Sequence, residues 1–165
     1  MRLSLTKGAA AGDPNSIAHE LEDGTTLVWT LGEDAPEGAL LSAGVDLADG
    51  PWIMRLDRID FVPGGIAYRH THPGPGIRYL LFGALTIESA GETQTYRPGE
   101  PWFESGPEPV LATASDSEET AFARVLLLPS EWAGKRTIKY VDPADEDRPK
   151  LQKPTVFLEH RLTLT

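Results

Sequence analysis

The sequence contains no cysteine. Disulfides and thiolate-held zinc sites are thereby excluded. It also lacks any apolar run near the 18 or so residues that a membrane helix requires. From Met1 to Gly12 there is no apolar core behind a basic start, so a secretory signal is not expected and cytoplasm is the expected compartment. Cationic charge is scarce: 15 Lys and Arg stand against 25 Asp and Glu, for a formal net charge of -10. Such a chain repels phosphate backbones, and nucleic acid is not an expected partner. Helical periodicity is nearly absent, with one turn at most over Ser130–Gly134. There is no Gly-x-Ser-x-Gly, P-loop or dinucleotide fingerprint. Serine hydrolase, NTPase and Rossmann readings therefore have no support.

What the chain does have is punctuation. Its 16 Gly and 14 Pro are spread between short apolar runs rather than gathered in one tract. Strands are expected at Thr25–Leu31, Ala39–Val45, Trp52–Val62, Ile66–His72, Ile77–Phe82, Ala84–Ser89, Thr93–Tyr96, Trp102–Glu104, Val110–Ala114 and Thr120–Leu128. Breakers such as Pro63-Gly64-Gly65 and Pro73-Gly74-Pro75-Gly76 separate them. Turn signals every 8–12 residues or so indicate an all-β sandwich or barrel. A length of 165 residues fits one domain with terminal extensions. The expected division is a flexible arm over 1–24, a barrel over 25–129 and an extension over 130–165. A late strand is expected at Thr155–Leu164, at a sheet edge or against a second subunit. Apolar content in the terminal segments points to a homodimer.

The segment that carries chemistry is Gly64 to Gly83. On a strand, residues i and i+2 share a face, so His70 and His72 project together, with Tyr68 before them. Two adjacent imidazoles suit a divalent transition metal such as Zn, Fe, Mn or Ni. Strand parity puts Arg78 on one face with Leu80, and Trp102 on one face with Glu104. A buried arginine needs an anionic partner. Glu104 is either that partner or a third metal ligand, and a substrate carboxylate is a further candidate for the guanidinium. Trp52 and Trp102 read as core, and His19 and His160 read as surface or interface residues.

The spacing Gly64, five residues, His70-x-His72, ten residues, Gly83 resembles the first signature of the cupin superfamily. Pro98-Gly99-Glu100-Pro101-Trp102-Phe103-Glu104 resembles its second. The resemblance spans about Trp52 to Pro129. It implies an antiparallel jelly-roll barrel, with Arg78, Trp102 and Glu104 turned inward by the register of the signatures, and a mononuclear metal acting on a small organic acid or sugar, by oxygenation, isomerisation or decarboxylation. Two usual ligand positions differ: Gly76 stands where the pattern has Glu, and Pro109 or Val110 where it has a third His. Three functional classes follow. One is a metal enzyme with His70, His72 and Glu104 as ligands and Arg78 and Tyr68 as catalytic groups. The second is a metal-free binding or sensing barrel in which Arg78 captures a carboxylate. The third is a structural barrel without chemistry.

Overall fold

The computed structural model describes residues 1–9 and 12–164. Among the described residues, fourteen antiparallel strands build three sheets. The first sheet is N-terminal. It contains β1 (Arg2–Lys7), β2 (Ser16–Glu20), β3 (Thr26–Gly32) and β4 (Leu41–Gly44), in the order β2-β3-β1-β4. The second contains β5 (Trp52–Phe61), β7 (Gly76–Phe82), β10 (Pro101–Glu104), β12 (Thr120–Pro129) and β14 (Gln152–Arg161), in the order β10-β7-β12-β5-β14. The third contains β6 (Ile66–Thr71), β8 (Leu85–Ser89), β9 (Glu92–Tyr96), β11 (Val110–Ala114) and β13 (Lys139–Tyr140), in the order β13-β6-β11-β8-β9. Short 3-10 turns at Ser130–Trp132 and Pro143–Asp147 are the only helical pieces among the described residues. No helix among them is long and apolar enough to cross a membrane.

The second and third sheets face each other as a jelly-roll barrel. Between them lie Ile59, Phe61, Leu80, Trp102 and Phe122 from one side and Ala67, Leu85, Ile87, Val110 and Ala112 from the other. The N-terminal sheet covers the outer face of the second sheet. Leu3, Leu5, Leu27 and Trp29 pack there against Met54, Leu56, Ile77, Val125 and Leu127. The second sheet is thus buried on both faces. This explains the nearly continuous apolar run of β12, TAFARVLLLP, which is not half polar as a strand with one wet face is.

The N-terminus departs from expectation. Residues 1–24, read as a flexible arm, supply β1 and β2 instead. Leu3 and Leu5 are fully buried, and β1 pairs with both β3 and β4. The segment Thr25–Leu31 extends no barrel edge, because its strand belongs to this outer sheet. The C-terminal strand lies at Gln152–Arg161, on the outer edge of the second sheet beside β5.

Gly83 closes the central motif with φ +80°, and a Cβ there would fall 2.2 Å from Thr120 Oγ1. Only glycine meets both conditions.

Candidate functional site

The site grows from one row of residues across the second sheet. Trp102 pairs with Arg78, Arg78 with Arg124, and Arg124 with Asp57. Arg124 and Asp57 side chains form a bidentate ion pair, Nε donating to Oδ1 at 2.8 Å and Nη2 to Oδ2 at 2.7 Å. Both residues are buried, and Arg55, on the same face of β5 as Asp57, pairs with Glu159. Arg78 is fully buried and forms an ion pair with Glu104 through Nε, without hydrogen-bond alignment. Its Nη1 donates to Gly76 O at 2.9 Å, and its Nη2 has no partner among the described residues.

The histidines enter from the facing sheet. His70 lies opposite Val110 on β11 and Tyr140 on β13. His70 Nδ1 lies 2.7 Å from Tyr68 O, which can only accept, so Nδ1 carries the proton and Nε2 the lone pair. His70 Nε2 makes no hydrogen bond among the described residues. His72 is engaged at both nitrogens, at 3.1 Å from Thr137 Oγ1 through Nδ1 and at 3.5 Å from Arg124 Nη1 through Nε2. The two rings meet edge to face, with centroids 4.9 Å apart.

Burial sets the protonation. It lowers the pKa of His70 below the ordinary histidine value, against the Tyr68 carbonyl and the Glu104 charge. It lowers His72 further, aided by the charges of Arg124 and Arg78. Burial also pulls Arg78 down to about 10, against the charge of Glu104. For Arg124 the Asp57 carboxylate outweighs burial, and its pKa is raised. At neutral pH the cluster therefore holds two cations and two neutral imidazoles.

His70, His72, Asp57, Glu104 and Arg124 border a cavity of about 800 Å³. Its walls are apolar, with Ile59, Phe61, Ile87, Trp102 and Phe122. Its lining carries five cationic residues (Arg55, Arg124, Lys135, Arg136 and Lys150) against three carboxylates (Asp57, Glu104 and Glu159). The chain as a whole has a net charge of -10, so this lining is locally inverted in sign. Arg136 and Lys150 lie over the Tyr140 ring, at 5.6 and 4.4 Å from its centroid.

The sequence-predicted residues separate here. His70, His72, Trp102 and Glu104 line the cavity. Arg78 faces inward but lies behind the lining, sealed by its neighbours. Tyr68 is not brought to the site. A bulge leaves Val110 opposite His70 but Ala112 opposite Ala67, so two residues of β11 span three steps of β6. The extra residue shifts the parity, Ala67 shares the inner face with His70, and the Tyr68 ring lies under Arg148 instead. Arg124, Asp57 and Arg55 are the residues that sequence reasoning missed. Their signal was present: Arg124 is the lone charge in an apolar ten-residue strand, and Arg55 and Asp57 share strand parity with Ile53, Ile59 and Phe61.

No protein-family model matches the chain, and no curated protein matches it. Solved structures do. A protein of unknown function from Rhizobium leguminosarum is 26% identical over 45% of this chain and 68% of its own, with a TM-score of 0.41. The polyketide cyclase RemF from Streptomyces resistomycificus is 19% identical over 57% of this chain and 63% of its own, with a TM-score of 0.44. An RmlC-like cupin from Shewanella frigidimarina is 18% identical over 53% of this chain and 84% of its own, with a TM-score of 0.41. Each similarity covers about half of this chain. In this barrel His70 stands on β6, His72 directly after that strand, and Gly83 directly after β7.

The donor set does not fit the metal that the resemblance of the sequence to cupins implies. Among the described residues no group of three or more His, Cys, Asp or Glu side chains is placed to hold an ion. His72 Nε2 already faces a guanidinium N–H, and Glu104 is committed to Arg78. At Gly76 there is no space for a ligand side chain, since a Cβ would lie 2.5 Å from Val125 O.

Proposed function

We propose that this barrel binds a small organic acid with an apolar body, without a metal ion. Of the expectations drawn from the sequence, the metal-free binding barrel has the better support, with one change: the cation bordering the cavity is Arg124 rather than Arg78. The observation that carries this reading is the lining itself, in which an apolar chamber meets an excess of cationic side chains inside an acidic chain. Low-dielectric walls focus such a field and raise the local concentration of anions. The test is a thermal-shift screen of monocarboxylates against their neutral amides, in a chelator. A bound acid at one hundred times its Kd adds about 2.7 kcal/mol. For a domain of this size that is a rise in Tm of roughly 5–11 °C. Amides that stabilise as well as their acids contradict the reading.

The same cavity bears on assembly. Val156, Phe157 and Leu158 line one side of it, yet they are about half exposed on the outer edge strand. Three successive exposed apolar residues on an unpaired edge are a liability for a lone molecule. A two-fold homodimer formed over β14 is the expected state. Sedimentation at micromolar concentration checks it: a dimer in the native chain and a monomer in Phe157→Glu are expected, and a monomeric native chain contradicts it.

A further inference from the structure

We propose that the cavity selects hydroxycarboxylates, with the ligand carboxylate on Arg124 and its hydroxyl donating to His70 Nε2. This rests on the acid-binding reading above and adds a second point of recognition. Three observations carry it. Asp57 takes Nε and one N–H of Nη2 of Arg124, leaving Nη1 with a 3.5 Å contact to His72 as its one partner among the described residues. A carboxylate can therefore dock on the outer edge of the guanidinium while Asp57 holds the inner one. His72 is a positioning residue, because both its nitrogens are engaged. His70 is the imidazole with an unengaged nitrogen among the described residues. The Tyr68 carbonyl fixes that nitrogen as an acceptor, so the complementary ligand group is a donor. The Arg124 contact to His72 and the 4.9 Å separation of the two rings put the cation and the acceptor side by side. A carboxylate with a hydroxyl on the adjacent carbon presents the matching pair of groups, and the apolar walls take the rest of the molecule.

Chelator-treated protein titrated by calorimetry with mandelate and with phenylacetate tests this, since the two acids differ by the hydroxyl alone. Mandelate is expected to bind about tenfold more tightly, the equivalent of one hydrogen bond. In His70→Ala the preference is expected to vanish while phenylacetate binding stays within about twofold of the native value. Because Arg124→Met alone strands a buried carboxylate, the variant to use is Asp57→Asn with Arg124→Met, checked for native circular dichroism. It is expected to lose both acids. Equal affinities for the two acids in the native protein, or a preference that survives His70→Ala, overturn the hydroxyl contact while leaving acid binding intact. Undiminished binding in the double variant overturns the role of Arg124. If neither of these acids nor any other in the thermal-shift screen binds, the acid-binding reading itself falls.

Discussion

Replacing Asp57 by alanine is expected to destabilise the protein by about 3–5 kcal/mol. For a domain of this size the corresponding fall in Tm is roughly 6–20 °C. Asp57 is 2% exposed, and both its oxygens accept from Arg124, itself 6% exposed. Removing the carboxylate leaves a guanidinium without its counter-charge in the centre of a sheet covered on both faces. Nothing nearby replaces it, since Glu104 is engaged by Arg78. Removing both partners is a different experiment. Asp57→Leu with Arg124→Met swaps the pair for apolar side chains of similar bulk, and such swaps are often neutral or stabilising. A double-mutant cycle by chemical denaturation is therefore expected to show strong coupling, with the double variant more stable than either single one. Single variants within about 1 kcal/mol of the native protein, with no coupling, contradict the assignment of this pair as a buried centre.

Acid is expected to loosen the fold through the histidines. Folding depresses the pKa of both His70 and His72 by burial. Below the ordinary histidine value, about 6.5, the unfolded chain therefore takes up protons that the folded chain refuses. The unfolded state binds more protons, so stability is fully present above that value and is lost as pH falls through it. Each fully excluded proton costs about 1.4 kcal/mol per pH unit, and at pH 5.5 the two together amount to roughly 1–3 kcal/mol relative to pH 8. Denaturation midpoints measured across this range in the native protein and in His70→Gln with His72→Gln give the check. The double variant is expected to show a flatter profile over pH 5.5–6.5 or so, and identical profiles contradict the linkage.

The barrel was legible because its strands are short and its breakers are strong. Pro63-Gly64-Gly65 and Pro73-Gly74-Pro75-Gly76 bracket β6 where the sequence places the break. The outer sheet was harder to see. β1 has six residues and finds its partners 20 to 42 positions later, at Leu27 to Gly32 and Leu41 to Gly44. No local pattern announces a pairing of that range. Charge was harder to read as well. The alternation in WIMRLDRIDF suggests a wet face, whereas the outer sheet covers the Met54 and Leu56 face and the barrel interior encloses the other, where Arg55 and Asp57 are buried charges. Of the cavity lining, His70 and His72 were expected together from strand parity, and Glu104 beside them from the register of the signature motifs. Tyr68 was misplaced by a bulge, which shifts a strand by one residue and leaves no mark in composition. Arg78 was correctly turned inward, but its distance from the cavity depends on Gly76 and Glu104 closing around it, which pairing between distant strands decides.

The central claim is that a side-chain cation, Arg124, rather than a metal ion, holds the ligand carboxylate. A crystal structure of chelator-treated protein soaked with a hydroxycarboxylate tests it most directly. The account predicts a carboxylate oxygen within about 3 Å of Arg124 Nη1, the hydroxyl within about 3 Å of His70 Nε2, and the Asp57 pair unbroken. An acid bound away from Arg124, or a divalent ion retained between the Nε2 atoms of His70 and His72, would contradict it.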